Sequence, residues 1–214
     1  MAKEIDLPKP HGHWLLWPLK LLFGFPVLTL LGPYRFSGSN RVPKKGGVII
    51  LCNHLADCDP IALQSACPRG IQFMGKSELW EMKVVGPILR WWGCFAVKRG
   101  EPDRASLRLA SELAKDGRVV GIFPEGQLSE NGKLQELKPG CALIIRMAGV
   151  PVICCGLKNT NRILPYGKVI PRPSFKTVTA TWGEPRIFNK EASTEDIVAW
   201  IEAEFRRLIP EPID

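Results

Sequence analysis

At 214 residues the chain is long enough for one domain with its own core, and 45% hydrophobic against 23% charged residues excludes a disordered segment. The formal charge of +8 is uneven, with a net of −5 over residues 191–214 and +13 over the rest. A basic body suits anionic partners such as phosphate head groups, coenzyme A or acidic carrier proteins, while a nucleic-acid reader would need an organised basic-aromatic motif that is missing.

The first element is the most apolar. Residues 14–33, "WLLWPLKLLFGFPVLTLLGP", carry one charge, Lys20, and lead with Trp14 and Trp17, which suit the headgroup zone. Their length just reaches that of a membrane span, but Pro18, Gly24 and Pro26 interrupt a straight helix. Three readings stay open: a kinked helical anchor lying in the interface, a full span, or a buried helix pair. Each leaves the body, residues 34–214, on one side, and residues 1–33 are expected to be an apolar helical, membrane-associating segment.

A turn-rich basic link follows, punctuated by Gly38, Pro43, Lys44, Lys45, Gly46 and Gly47. Short apolar runs at 48–52, 71–74, 94–97, 119–123, 150–155 and 177–182 predict strands. A helix is predicted to start near Pro60. "PDRASLRLASELAKDG" predicts a second, with Leu107, Ala110, Leu113 and Ala114 on one face, Asp103 at the start and Gly117 at the stop. "GCALIIRMAG" predicts a third. The last begins near Ser193 or Thr194 and buries Ile197, Trp200, Ile201, Phe205 and Leu208. Near-continuous apolar strands alternating with helices predict an α/β fold, a central mostly parallel or mixed sheet covered by helices on both faces.

Seven cysteines without a C-x-x-C pair read as free thiols, and they lack the paired spacing of structural zinc. Chemistry concentrates in "LCNHLADCDP", residues 51–60. His54 leaves a strand, and a carboxylate five positions on, Asp59, can fold back to accept its Nδ1 hydrogen, leaving Nε2 as a base. Asp57 is an alternative partner on spacing alone. A thiol nucleophile at Cys58 would need a lowered pKa, and the plain alternative is a polar strand end followed by a helix cap at Asp59. Two further stretches end strands in functional residue types. "VVGIFPEGQLSENGKL" puts Glu125 and Gly126 at a tight turn, and "WWGCFAVKRGEPDRAS" puts Lys98 and Arg99 before a helix N-terminus, a place suited to a phosphate.

In this order the stretches resemble the phospholipid and glycerol-phosphate acyltransferases, most of all the 1-acyl-glycerol-3-phosphate acyltransferases. N-H-x-x-x-x-D matches Asn53, His54 and Asp59; a strand ending in basic residues matches "GCFAVKRG"; F-P-E-G-x-x-S matches Phe123 to Ser129; and the fourth block matches "GVPVI". The resemblance covers residues 35–185. It implies acyl transfer from acyl-coenzyme A or acyl carrier protein to a lysophospholipid hydroxyl, without metal, cofactor or acyl-enzyme. His54 would be the base and Asp59 its orienter. Asn53, Lys98, Arg99, Glu125, Gly126 and Ser129 would serve substrate binding, Lys98 and Arg99 at the phosphate. The apolar N-terminal segment and the basic body together predict a membrane surface with anionic lipid as partner, with the catalytic domain expected on the cytoplasmic side. Leu128 stands where the family commonly has arginine, and Cys154 where the fourth block often has a second proline. The first change leaves room for a larger head group such as ethanolamine. A lipid-binding module without catalysis and a thioesterase are the competing readings.

Overall fold

The computed structural model describes residues 30–97 and 104–210. In chain order these form β1 (Tyr34–Ser37), β2 (Val48–Cys52), α1 (Asp59–Ala66), β3 (Ile71–Lys76), α2 (Val85–Trp92), β4 (Phe95–Val97) and α3 (Arg104–Lys115). They continue with β5 (Val119–Ile122), α4 (Gly140–Ala148), β6 (Val152–Lys158), α5 (Thr160–Ile163), β7 (Val178–Trp182) and α6 (Thr194–Leu208). The strands make one sheet in the order β1-β7-β6-β2-β5-β3-β4. Pairing is parallel throughout except between β6 and β7.

The central strand β2 explains the two-sided core. All five of its residues are buried, so it reads as an unbroken apolar run rather than an alternating one. Val48, Ile50 and Cys52 face one side with Ala62, Leu63 and Ala66 of α1, while Leu89 and Trp92 of α2 pack along the same layer. Ile49 and Leu51 face the other, with α3, α4 and α6. In β5, a Cβ at Gly121 would lie 2.6 Å from Ile71 and 2.7 Å from Phe73, so only glycine lets these large side chains cross that strand.

The α3, α4 and α6 patterns fall where the periodicity predicts. Ser193 caps α6 by accepting the Asp196 N–H at 2.9 Å, and Arg206 and Arg207 close it where the helix dipole favours cations. Trp200 departs from the expected fully buried face. It stands half-buried, edge-on to Phe188 at 5.2 Å with Arg186 over its ring.

Two elements differ from the sequence reading. Part of the supposed basic link is the edge strand β1, pairing with β7 and tied inward by Tyr34 Oη donating to Ala62 O at 2.7 Å. Helix α2 carries Pro87 in its first turn, where the missing N–H costs nothing. The stretch 14–29 lies outside the described residues; among those described, no helix is long and apolar enough to cross a membrane.

Candidate active site

Strands β2, β5 and β6 are mutually parallel, so their carboxyl ends open on one edge of the sheet, where the loops meet. β2 ends in Asn53 and His54. The Asn53 amide extends the ladder beyond the last backbone pair: Nδ2 donates to Leu157 O at 2.9 Å, and Oδ1 accepts from Leu157 N at 2.7 Å. Asn53 is buried with both amide atoms engaged, so it fixes the start of the His54 loop against β6.

The imidazole meets Asp59, the first residue of α1, with Nδ1 2.9 Å from Oδ2. The same oxygen accepts the Leu55 N–H, and that of Ala56 at 2.8 Å. An oxygen that gathers two amide hydrogens is an acceptor, so the Nδ1 facing it carries the third hydrogen, and the Nε2 lone pair is the free one. Among the described residues nothing hydrogen-bonds Nε2. Asp59 therefore does not cap α1: the N-cap position is Cys58, with no side-chain cap bond. Asp57 is exposed to solvent. Behind the ring, Phe123 stacks on His54 at 4.0 Å and 19°, and Phe73 continues the column to the edge of Trp92.

The loop after β5 grips the backbone of His54 from both sides. Its N–H donates to Glu125 Oε1 at 2.8 Å, and its carbonyl accepts from Ser129 N at 2.8 Å. The second Glu125 oxygen accepts Gln135 N at 2.7 Å, joining the two ends of the loop. Burial pushes the Glu125 carboxyl above its ordinary value, against the opposing pull of those two N–H donors. Ser129 Oγ donates within the loop, to Lys133 O at 2.7 Å. Gly126 sits exposed at φ +70°, the left-handed conformation that the tight turn demands. Leu128 is half-buried in the same loop.

Asn53, His54, Asp59, Glu125 and Ser129 thus converge on one cluster, with Gly126 at its outer turn. Lys98 and Arg99 lie outside the described residues. The sequence reading gave Phe123 no role of its own and passed over Gln135 and Leu157; the last two act through backbone groups, which any side chain supplies. Among the described residues no three His, Cys, Asp or Glu side chains gather in the way a metal ion requires.

Cys58 is a poor nucleophile. Burial first, and Asp59 second, push its thiol up to about 12, so it stays protonated at neutral pH. Cys58→Ala is expected to keep any reaction based on His54 within about threefold of the parent, an effect of repacking alone. A loss comparable to that of a His54 variant would show the thiol to be chemical. All seven cysteines are free.

A family model described as Acyltransferase matches residues 33–158. The chain is 31% identical over 128 residues to a 1-acyl-sn-glycerol-3-phosphate acyltransferase of Bacillus subtilis, an alignment covering 59% of this chain and 63% of that protein. A protein of the same description from Borreliella burgdorferi is 33% identical over 129 residues, 58% of this chain and 51% of its own length. The chain thus spans about half to two thirds of these relatives. The crystal structure of the 1-acyl-sn-glycerophosphate acyltransferase PlsC from Thermotoga maritima superposes with a TM-score of 0.77 at 25% identity, covering 94% of this chain and 81% of that one. The matched span runs from the edge strand through β2, the His54 loop, Glu125 and the end of β6, and on that extent the chain belongs to the acyltransferase family.

Proposed function

We propose that the protein transfers a fatty acyl group from a thioester, acyl-coenzyme A or acyl carrier protein, to the free hydroxyl of 1-acyl-glycerol-3-phosphate, yielding phosphatidic acid. The observation that carries this reading is the buried His54–Asp59 pair, with Nδ1 committed at 2.9 Å and Nε2 left without a partner. Nε2 takes the hydroxyl proton as the oxygen attacks the thioester carbonyl, and Asp59 stabilises the imidazolium that forms. When the tetrahedral intermediate collapses, the C–S bond breaks and the imidazolium returns its proton to the departing sulfur. Asn53, Glu125 and Ser129 act as positioning residues in this scheme, because their polar atoms hold loop backbone. Lys98 and Arg99 follow β4 in sequence and supply cations for the acceptor phosphate. The column of Phe123, Phe73 and Trp92 backs the imidazole with apolar core and holds its plane.

Leu128 favours a second reading, in which the acceptor carries a larger head group. A leucine where relatives commonly place a guanidinium removes a bidentate partner for a phosphomonoester. A panel of lysophosphatidate, lysophosphatidylethanolamine and glycerol 3-phosphate, each with acyl-coenzyme A and acyl carrier protein, decides between them by mass spectrometry. The expected product is phosphatidic acid, with free thiol released in equal amount. Diacyl phosphatidylethanolamine as main product would establish the second reading. Free fatty acid unaffected by any lysolipid would make the protein a thioesterase, and lysolipid binding without thiol release a lipid-binding module.

A further inference from the structure

Between α5 and β7 the chain runs through residues 164–177 without regular secondary structure, yet it is firmly held. Arg172 N donates to Ile163 O at 2.9 Å, Ser174 N to Leu31 O at 2.6 Å, and Asn159 Nδ2 to Thr177 O at 2.8 Å. Pinned at these points, the loop still turns its apolar side chains outward: Val169 is 90% exposed, Ile170 78% and Phe175 101%. Single exposed apolar residues are ordinary on any surface, but a fixed loop displaying three of them within a short span marks a contact surface.

Apart from Glu130 and Asp57 on the Tyr166 side, the loop's own charge has one sign. Residues 159–183 contain Arg162, Lys168, Arg172 and Lys176 and no acidic residue. All four are exposed, and among the described residues none forms an ion pair. Long basic side chains around protruding apolar tips fit a lipid interface: the tips enter the acyl boundary while the cations stay at the head groups. A bilayer carrying anionic lipid matches the loop's four basic side chains and its exposed apolar tips together.

The position of the loop gives the contact a purpose. Tyr166 Oη donates to Glu130 Oε1 at 2.9 Å, and Glu130 follows Ser129, whose N–H holds the His54 carbonyl. At the other end, the Ser174–Leu31 bond ties the loop to the close of the apolar 14–33 stretch, where Leu30 is exposed. We infer that residues 164–177 form a membrane-contacting loop that inserts Val169, Ile170 and Phe175 into the interface of a bilayer carrying anionic lipid and holds the His54 side of the sheet edge against it. The inference stands on the loop alone and requires no particular reaction at His54.

In the full chain, Phe175→Cys offers an exposed labelling position, whereas the native cysteines are buried or half-buried. A polarity-sensitive fluorophore there should shift to the blue, and be quenched by brominated acyl chains, when vesicles of phosphatidylglycerol and phosphatidylcholine are added. The same label at Ile187→Cys, exposed beside the α6 layer, should stay unchanged. The inference is overturned by no shift, by an equal shift at both positions, or by blue emission before lipid is added, the mark of a cover supplied by residues 1–29 or a second copy. K168Q/R172Q/K176Q should raise the lipid concentration for half-maximal insertion of the Phe175→Cys label by about a hundredfold and remove the preference for phosphatidylglycerol. An unchanged lipid dependence would overturn the anionic assignment. Neither readout involves acyl transfer, so the failure of one proposal is distinguishable from the failure of the other.

Discussion

His54→Ala is expected to lower thioester-dependent acylation of a lysolipid by about 10²- to 10⁴-fold, the usual worth of a positioned general base. The fold should survive at a modest cost in stability, because the buried carboxylate loses one of the three hydrogens on Oδ2 while Oδ1 has no partner to begin with. Asp59 Oδ2 keeps the Leu55 and Ala56 amide hydrogens, and Phe123 loses only a stacking neighbour. Far-ultraviolet circular dichroism and a melting curve close to the parent's would separate lost chemistry from lost structure. Asp59→Asn makes the comparison sharper. A side-chain oxygen can still take the two backbone donors, but the negative charge that steadies an imidazolium is gone, so the rate should fall by about 10²-fold or more with a modest drop in melting temperature. An His54→Ala protein acylating within threefold of the parent would remove the base from the mechanism altogether.

That pair was the most legible feature of the sequence, and the reason is local. His54 and Asp59 are five positions apart, both belong to one strand–turn–helix unit, and the strand before them is an unbroken apolar run. The helices α3, α4 and α6 were legible for a similar reason, since their apolar faces repeat at helical spacing. What the sequence hid depends on distant partners. Tyr34–Ser37 has too few residues to show a period and becomes a strand only by pairing with Val178–Trp182, far along the chain. Val85–Trp92 contains Gly86 and Pro87, which read as breakers although a helix tolerates them in its first turn. Asn53 and Glu125 were visible as polar residues at strand ends, but their partners are backbone atoms 104 and 71 positions away, and no side-chain pattern announces those. Leu128 and Cys154 depart from the resemblance, and the consequence of Leu128 depends on a ligand.

Glu125→Ala is expected to combine the largest loss of stability with a loss of activity, because one carboxylate serves two buried amides. Removing it strands the His54 and Gln135 N–H groups, at about 1–3 kcal/mol for each unsatisfied donor. For a chain of this size that lowers the melting temperature by roughly 4–24 °C. The rate should fall as well, since the backbone of His54 would then be gripped only through its carbonyl by Ser129, and a general base misplaced by a fraction of an ångström loses its alignment. Glu125→Gln isolates the charge while keeping one acceptor oxygen. Burial holds the folded Glu125 carboxyl above its ordinary value, so the native state takes up this proton at a higher pH than the unfolded chain does. Wild-type stability relative to E125Q should therefore be lowest above the raised value and should increase as the pH falls through it towards the ordinary glutamate range. Paired urea denaturations of the two proteins at neutral and mildly acidic pH measure that difference and cancel the titration of every other group. A wild-type stability that falls relative to E125Q on acidification would mean that the two amide hydrogens outweigh burial, and that Glu125 grips the His54 loop as a fully committed anion.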